Sequence, residues 1–134
     1  METIRTIYTG ELRTLAEHVK SGVKVITDAP TDNQGRGESF SPSDLLAASL
    51  GSCMVTIMGI ASQTHNIRID GTKIKITKVM AANPRRVSEV HVEFDMPQND
   101  YTEKEKSILD NAARTCPVAL SLHPDIKQLV KFNF

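Results

Sequence analysis

The stretch that decides the fold runs from Pro42 to Ala61 and reads PSDLLAASLGSCMVTIMGIA. No charged residue follows Asp44 in it, and from Leu45 onward apolar or small side chains would surround a helix on every side. Ser41 is suited to cap this helix, the proline to occupy its first position, and the aspartate to favour its positive end. Because a helix without a polar face is normally buried, the sequence predicts a long, buried central helix.

The length of this segment, about 20 residues, would also be enough to cross a membrane. Several hydroxyl side chains dilute its apolar character and no Lys or Arg flanks it closely, so we expect burial in protein and no membrane partner. A spacing typical of helix–helix contacts joins Leu46, Leu50, Cys53, Ile57 and Ile60. The helix that packs on this seam could come from a second subunit.

On both sides of this helix the chain is rich in residues typical of strands. Before the helix we predict strands at Thr3–Thr9, Leu12–Val19 and Val23–Thr27, then a loop at Asp28–Phe40. After it we predict a hairpin of Thr72–Met80 and Arg86–Met96, a helix opened by the capping box Thr102–Glu105, a helical turn at Pro117–Leu122 and a strand at Leu129–Phe134. This order predicts one α+β domain spanning residues 1–134.

The composition argues against several classes of partner. The 16 basic and 16 acidic residues cancel, whereas a nucleic-acid-binding protein would usually carry a basic excess. Aromatic residues make up only 4% and tryptophan is absent, which is unfavourable for stacking on single strands. The N-terminus shows no signal sequence, so we expect a cytoplasmic protein with reduced thiols. The four histidines show no ligand spacing, and we expect neither a metal nor another cofactor.

The chain has two cysteines, Cys53 in the long helix and Cys116 at the end of the second helical pattern. They are too far apart in the sequence for a CxxC redox turn or a zinc knuckle. A free cysteine on an apolar helix face is most often a small core residue. Two thiols on distant segments that can meet in the fold point instead to peroxide or disulfide chemistry.

The two positions differ in how a thiolate would be stabilised. Cys116 directly precedes Pro117, where a new helix N-terminus would offer unpaired N–H groups to a thiolate. Cys53 lies deep inside its helix, beyond the reach of the terminal field, and needs a cation from elsewhere. A guanidinium can hold a thiolate and a peroxide oxygen together. Spacing alone does not select among the candidates Arg5, Arg13, Arg36, Arg68, Arg85 and Arg86.

The segment SPSDLLAASLGSC at 41–53, followed by TCPV at 115–118, resembles the two-cysteine signature of the OsmC/Ohr family. These are the osmotically inducible and organic-hydroperoxide-resistance proteins, and the resemblance covers essentially the whole chain. It implies an OsmC-like fold with antiparallel sheets wrapped around the central helix. It also implies an intertwined homodimer with both active sites at the subunit interface, and a thiol peroxidase that reduces organic hydroperoxides.

By this resemblance Cys53 is the peroxidatic thiolate, which the peroxide converts to a sulfenic acid. Cys116 then condenses with it to form a disulfide. A dithiol or lipoyl-protein reductant reopens that disulfide by exchange. The apolar seam around Cys53 fits an organic peroxide better than hydrogen peroxide.

The chain departs from the classical family pattern at one position. Classical members carry Glu immediately after the proline of the helix start, where it orients the activating Arg, and this chain has Ser43 there. Arg13 corresponds to the family's N-terminal Arg, and Glu38 could supply the carboxylate from the preceding loop. Arg36 is a rival cation.

Two other functions remain open. The same pocket could belong to a non-peroxidatic OsmC-like protein that binds a small apolar or thiol ligand. The two thiols could also exchange disulfides without efficient turnover of peroxide.

Overall fold

A computed structural model describes all 134 residues and confirms the α+β class. The elements follow the predicted order, with bounds that differ by only a few residues. They are β1 (Ile4–Gly10), β2 (Arg13–His18), β3 (Lys24–Asp28), a short 3-10 turn (Thr31–Asn33), α1 (Pro42–His65), β4 (Lys73–Ala81), β5 (Arg86–Asp95), α2 (Glu103–Arg114), α3 (Pro117–Ser121) and β6 (Lys127–Asn133). They form two small sheets, with the long helix between them in chain order.

The chain divides into two compact units, and the first spans Met1–Leu46. Its sheet has the order β1-β2-β3 and is antiparallel throughout, as expected. Both hairpin connections contain a glycine with positive φ, Gly10 at 96° and Gly22 at 76°, a conformation that glycine adopts without steric cost. The register of the second hairpin pairs Arg13 with Asp28, which places a basic and an acidic side chain opposite each other.

The loop after β3 is fastened to that strand before α1 begins. The Asp28 N–H donates to the Phe40 carbonyl at 3.0 Å, and the Ser39 hydroxyl donates to the Ile26 carbonyl at 2.8 Å. Ser41 then caps the helix as predicted: its hydroxyl accepts the Asp44 N–H at 3.0 Å, and the Asp44 carboxylate accepts the Ser41 N–H at 2.9 Å.

The second unit spans Ala47–Phe134, and its sheet has the order β4-β5-β6. The hairpin of β4 and β5 is antiparallel, but β6 joins β5 in parallel. The expectation of purely antiparallel sheets is therefore wrong for this one, which is mixed. The reason is the connection: α2 and α3 lie between β5 and β6, and a helical crossover brings the chain back in the same direction.

The apolar core lies within the second unit. It joins one face of α1 to the alternating apolar side of β5 and to α2, and its most fully buried large members are Leu50, Met54, Met58, Val90, Val92, Phe94 and Leu109. Full burial of each such side chain contributes about 1.5–3 kcal/mol. Gly51 lets α1 approach β4 closely, because a Cβ at this position would lie 2.4 Å from Cδ1 of Ile76.

Within one chain, α1 is not buried on every side, in contrast to the expectation from the sequence. Leu50 and Met54 are buried, whereas Ser52, Thr56 and Ile60 on the other side are exposed. The helix is long and apolar enough to cross a membrane by length and composition, with a mean hydropathy of 1.8 over its most apolar 18 residues. One face of α1 packs in the core, as it does in the core helices of other proteins. Such helices commonly reach this hydropathy.

Candidate functional site

Cys116 occupies the predicted junction between two helices. Helix α2 ends at Arg114 and α3 begins at Pro117, with Cys116 as its N-cap residue. The cysteine side chain acts as the cap, because Sγ accepts a hydrogen bond from the Ala119 N–H at 3.4 Å. The proline at the first helical position fixes a backbone angle that suits a helix start. The local sequence thus holds this sulfur in one place.

Cys53 and Cys116 come together although they are far apart in the chain. Both are free thiols; Cys53 is half-buried on α1, and Cys116 is buried with an exposed fraction of 0%. The side chain of Cys53 lies close enough to that of Cys116 to raise its pKa. The prediction that thiols from two distant helices meet is confirmed.

The environment of Cys116 favours the protonated thiol. Burial raises its pKa, and the neighbouring side chain of Cys53 raises it further. The N–H groups of Ala119 and Val118 act in the opposite direction without reversing the shift. The N–H groups at this helix start favour the thiolate, as expected, but the loss of solvent on burial outweighs them.

Arg13, at the start of β2, is held by a carboxylate that the sequence analysis did not identify as part of the site. Its Nε donates to Oδ1 of Asp28 at 2.7 Å and its Nη2 donates to Oδ2 at 2.8 Å. Asp28 has an exposed fraction of only 1%. The hydrogen bonds from Arg13 hold the pKa of Asp28 below its ordinary value, and those to Asp28 raise the pKa of Arg13. Both groups therefore stay charged.

Glu38 also reaches Arg13, but through one longer contact. Its Oε1 lies 3.3 Å from Nη2 of Arg13, and its side chain is 65% exposed. Its backbone N–H donates to Oδ2 of Asp28 at 3.1 Å. The prediction that Glu38 can offer a carboxylate to this arginine agrees with the geometry, while Asp28 makes the shorter, bidentate contact.

A signal in the sequence could have revealed Asp28. In a hairpin whose turn lies at Lys20–Gly22, Glu17 pairs with Lys24, and the same register pairs Arg13 with Asp28. Two opposite-charge pairs that share one register are an indication of cross-strand contact. The loop assigned to 28–40 hid this pairing, because Asp28 is in fact the last residue of β3.

Three of the other candidate arginines make contacts elsewhere. Arg36, the rival cation, forms an ion pair with Glu11, whose side chain is exposed. Arg5 pairs with Glu2, and Arg86 donates to backbone carbonyls beside its own turn. Arg13 and Glu38 lie in the first unit, and the two cysteines lie in the second. No group of three or more His, Cys, Asp or Glu side chains is placed to hold a metal ion.

The family model for OsmC-like proteins matches residues 35–129 of this sequence. The chain belongs to the OsmC-like protein family. A crystal structure of a proposed osmotic stress induced and detoxification response protein from Psychrobacter arcticus 273-4 is 53% identical, with a TM-score of 0.95, and the match covers 99% of this chain and 96% of that one. Comparison with curated proteins finds no match.

More distant members of the family share the fold of this OsmC-like protein. An organic hydroperoxide resistance protein OsmC from Legionella pneumophila is 14% identical, with a TM-score of 0.79 over 100% of this chain and 98% of that one. An OsmC-like protein from Mycoplasma pneumoniae is 17% identical, with a TM-score of 0.80 over 97% and 94% of the two chains. These likenesses establish the OsmC fold and leave the reaction to be argued from the site.

At the position where classical family members carry Glu, the hydroxyl of Ser43 in this OsmC-like protein lies 3.2 Å from the Ser41 hydroxyl. A serine cannot provide the charged, two-oxygen acceptor that a guanidinium prefers. Asp28, the last residue of β3, provides the carboxylate that accepts two hydrogen bonds from Arg13.

Proposed function

We propose that this OsmC-like protein is a thiol-dependent peroxidase that reduces organic hydroperoxides through Cys53 and Cys116. The observation that carries the proposal is the proximity of the two thiols, one half-buried and one fully buried. The accessible thiol can meet a peroxide, and the buried one can react only with its neighbour. This division of exposure fits an attacking and a resolving cysteine.

In the first step the Cys53 thiolate attacks the distal oxygen of ROOH. The sulfur–oxygen bond forms as the oxygen–oxygen bond breaks, the alkoxide takes a proton to leave as ROH, and the cysteine becomes a sulfenic acid. The protonated state of Cys116 helps here, since its S–H can donate to the sulfur of Cys53 and no second thiolate competes for the peroxide.

In the second step the sulfur of Cys116 attacks the sulfenic sulfur. Hydroxide leaves with the proton of the Cys116 thiol as water, and a disulfide forms between the two residues. Because the two thiols already lie close together, little rearrangement is needed. An external dithiol, such as a lipoyl protein, then restores both thiols by exchange and is itself oxidised.

Arg13 supplies the cation for Cys53 in this proposal, and Glu38 and Asp28 are its acceptors. A guanidinium remains charged at any working pH and presents its donors in a fixed fork. Arg13 is 26% exposed by side chain, so it is partly withdrawn from water and still reachable. Arg36 is the weaker candidate, since it is paired with Glu11.

The proposed working form is a homodimer with both sites at the subunit interface. Within one chain the sheet of the first unit has no buried residue in β1, and Ile7 is 64% exposed. Further exposed apolar side chains of this unit are Ile4, Tyr8, Leu12, Val23, Val25, Ile26 and Phe40. Such a concentration of exposed apolar surface is typical of an interface, and a second copy of the chain is the occupant that the family resemblance implies.

The test is peroxide consumption by the reduced protein. Cumene hydroperoxide and hydrogen peroxide are each mixed with the protein while free thiol and disulfide are followed. We expect loss of two thiols per chain and a rate with the organic peroxide that is higher by about tenfold or more, since the thiol pair adjoins an apolar core. A cytoplasmic dithiol regenerating system should then support multiple turnovers.

Slow and equal oxidation by both peroxides would contradict the proposal. If dithiols and disulfides nevertheless exchanged rapidly with the protein, the two cysteines would serve disulfide exchange. If no such exchange occurred, binding of a small apolar or thiol ligand at the same pocket would be the better interpretation.

A further inference from the structure

Gln128 is a polar side chain on the apolar side of β6. In register it lies opposite Val90 of β5, which is fully buried, and the same side of the strand continues with Val130 and Phe132, both packed against the core. Because side chains alternate between the two faces of a strand, the amide of Gln128 shares the core side with them. A polar group in such surroundings destabilises the fold unless it is hydrogen-bonded, so its partner indicates why it is there.

The partner is the carbonyl of Ala119 in α3, to which Nε2 of Gln128 donates at 3.0 Å. A helix leaves its last four carbonyls without a partner inside the helix, and α3 has only five residues. Another of its carbonyls, that of Pro117, accepts locally from the Ser121 hydroxyl at 2.7 Å. The carbonyl of Ala119 accepts instead from β6, so this hydrogen bond ties α3 to the sheet.

Ala119 also contacts the sulfur of Cys116. Its N–H donates to Sγ at 3.4 Å, so Ala119 holds the sulfur through its N–H and is itself held through its carbonyl. Isolated helices shorter than about 12 residues are marginal in water, and α3 is far shorter. The direction of this N–H therefore depends on contacts that α3 makes with the rest of the second unit, and Gln128 supplies one of them.

We infer that Gln128 is a positioning residue for the resolving cysteine: through Ala119 it holds Sγ of Cys116 where this sulfur can attack the sulfenic acid of Cys53. The inference rests on the proposed function and deepens it. In this step the sulfur–sulfur bond forms, the sulfur–oxygen bond of the sulfenic acid breaks, and hydroxide leaves as water with the proton of the Cys116 thiol. The N–H of Ala119 lowers the pKa of Cys116, in opposition to burial, and so favours the negative charge that develops on Sγ as its proton departs.

Loss of this hydrogen bond should affect the second step and spare the first. The attack on the peroxide uses the sulfur of Cys53 on α1, whereas closure of the disulfide needs Cys116 in the right place. A single intramolecular hydrogen bond typically changes an equilibrium by about two- to tenfold. We expect effects of this size on disulfide formation.

The first experiment compares the unmodified protein with Gln128→Met, which keeps the length of the side chain and removes its N–H donor. The reduced proteins react with cumene hydroperoxide in the presence of dimedone, which competes with Cys116 for the sulfenic acid, and mass spectrometry gives the ratio of dimedone adduct to disulfide. We expect this ratio to rise by about two- to tenfold in Gln128→Met. Alkylation of Cys53 by iodoacetamide should change by less than about twofold, since its sulfur is not held by α3.

Ser121→Ala is the matched control. It removes an exposed side-chain hydrogen bond to a carbonyl of the same helix, but one that does not reach β6. Both the adduct ratio and the alkylation rate should stay within about twofold of the unmodified protein. An effect of Ser121→Ala equal to that of Gln128→Met would overturn the inference, because any lost hydrogen bond on α3 would then suffice.

The second experiment does not depend on peroxide. Diamide, an azo oxidant, takes two electrons and two protons from the two thiols and forms the same disulfide, which is then equilibrated with reduced and oxidised glutathione. A less well placed Cys116 makes the disulfide less favourable relative to the two thiols. In Gln128→Met the equilibrium should shift toward the thiols by about two- to tenfold.

An unchanged adduct ratio and an unchanged glutathione equilibrium in Gln128→Met would overturn the inference. Parallel slowing of disulfide formation and of iodoacetamide alkylation would overturn it too, because it would indicate a general loss of structure. If the unmodified protein does not reduce cumene hydroperoxide, the proposed function fails. The glutathione equilibrium then still decides whether Gln128 positions Cys116, which keeps the two failures apart.

If Gln128→Met does not fold, the unmodified protein still offers a test. The side-chain amide of Gln128 should exchange with water more slowly in NMR spectra than that of Gln63, which is exposed on α1. Equal exchange rates of the two amides would overturn the inference, because Gln128 would then not be held by Ala119.

Discussion

The sulfur of Cys116 caps helix α3 and at the same time lies beside the thiol of Cys53. The first contact fixes its position, and the second joins it to a helix more than sixty positions earlier in the sequence. Because burial raises the pKa of Cys116, this residue stays a thiol, and the more accessible sulfur of Cys53 lies next to it. This asymmetry is what a reaction with an attacking and a resolving cysteine requires.

Replacing the two cysteines one at a time should separate their roles. Cys53→Ser should abolish peroxide reduction, since Cys116 is buried and cannot meet the substrate. Cys116→Ser should reduce one equivalent of cumene hydroperoxide per chain and then stop, leaving a sulfenic acid that dimedone traps. Mass spectrometry of the trapped adduct is the measurement. Repeated turnover by Cys53→Ser would show that the assignment is reversed, and Ser52→Ala on the exposed side of α1 is the control.

Arg13 and Arg36 should differ when each is replaced. Arg13→Ala should lower the rate with cumene hydroperoxide by about 100-fold, because it removes the charged donors proposed to serve Cys53. Arg13→Lys should recover only part of this, since it restores the charge and not the fork. Arg36→Ala breaks only a pair with exposed Glu11 and should change the rate by less than about threefold. A larger effect of Arg36→Ala in stopped-flow kinetics would transfer the role to that residue.

Two glycines of α1 should respond oppositely to alanine. Gly51→Ala would place a Cβ 2.4 Å from Cδ1 and 3.0 Å from Cγ1 of Ile76, and we expect a loss of about 1–3 kcal/mol in the free energy of unfolding. Gly59→Ala meets nothing within 4 Å and should increase that free energy by about 0.5–1 kcal/mol, because alanine is the better helix former.

Urea unfolding of both glycine variants at neutral pH is the measurement. Equal stabilities would contradict the close approach of α1 to β4 at Gly51. Since Gly59 belongs to the same helix, it controls for the effect of helix propensity.

The ion pair of Asp28 and Arg13 should make stability depend on acid. The pKa of Asp28 is held below its ordinary value, first by the hydrogen bonds from Arg13. Asp28 therefore makes its full contribution to the free energy of unfolding above about pH 4, which is near the pKa of an aspartate in an unfolded chain. This contribution is lost as the pH falls through the lower pKa that Asp28 has in the folded protein. The difference in unfolding free energy between the unmodified protein and Asp28→Asn should narrow on acidification.

Urea unfolding of the two proteins at pH 7 and at pH 3 tests this. The carboxyl of Asp95 also has a lowered pKa, chiefly from its hydrogen bond with Asn133, but it is present in both proteins and cancels in the comparison. A difference that stays constant between the two pH values would refute the expected linkage.

The proposed dimer should depend on the exposed apolar row of the first sheet. Ile7, Leu15 and Ile26 are cross-strand partners in one row, and a charge there would face the partner subunit. Ile7→Glu should shift the mass measured by light scattering from two chains toward one. Thr77→Glu, at an exposed position of β4 in the other sheet, should leave the mass unchanged. A dimer that persists in Ile7→Glu would place the interface elsewhere.

Much of the secondary structure was predictable because its signals are local. The capping pair of Ser41 and Asp44, the Thr102–Glu105 box and the alternation along β5 each depend on residues within a few positions of one another. The position of Cys116 at a helix junction was predictable for the same reason, since Pro117 defines it. The family signature added the expected roles of the two cysteines.

Features that depend on residues far apart in the chain could not be predicted from the sequence. The parallel pairing of β6 follows from the path of the chain through α2 and α3, and the exposed side of α1 follows from which neighbours a single chain supplies. The net rise in the pKa of Cys116 could not be predicted, because the helix start is a local feature whereas burial is a sum over the whole core.

The order of the elements, their ends and the two candidate thiols are therefore properties of the sequence itself, because hydrophobic period, caps and turn residues act within a few positions. The contact of Cys53 with Cys116, the bidentate hold of Asp28 on Arg13 and the buried state of both Asp28 and Cys116 were decided by tertiary structure alone. Burial and side-chain hydrogen bonds between remote segments exist only once the chain has folded, and they determine which groups carry charge.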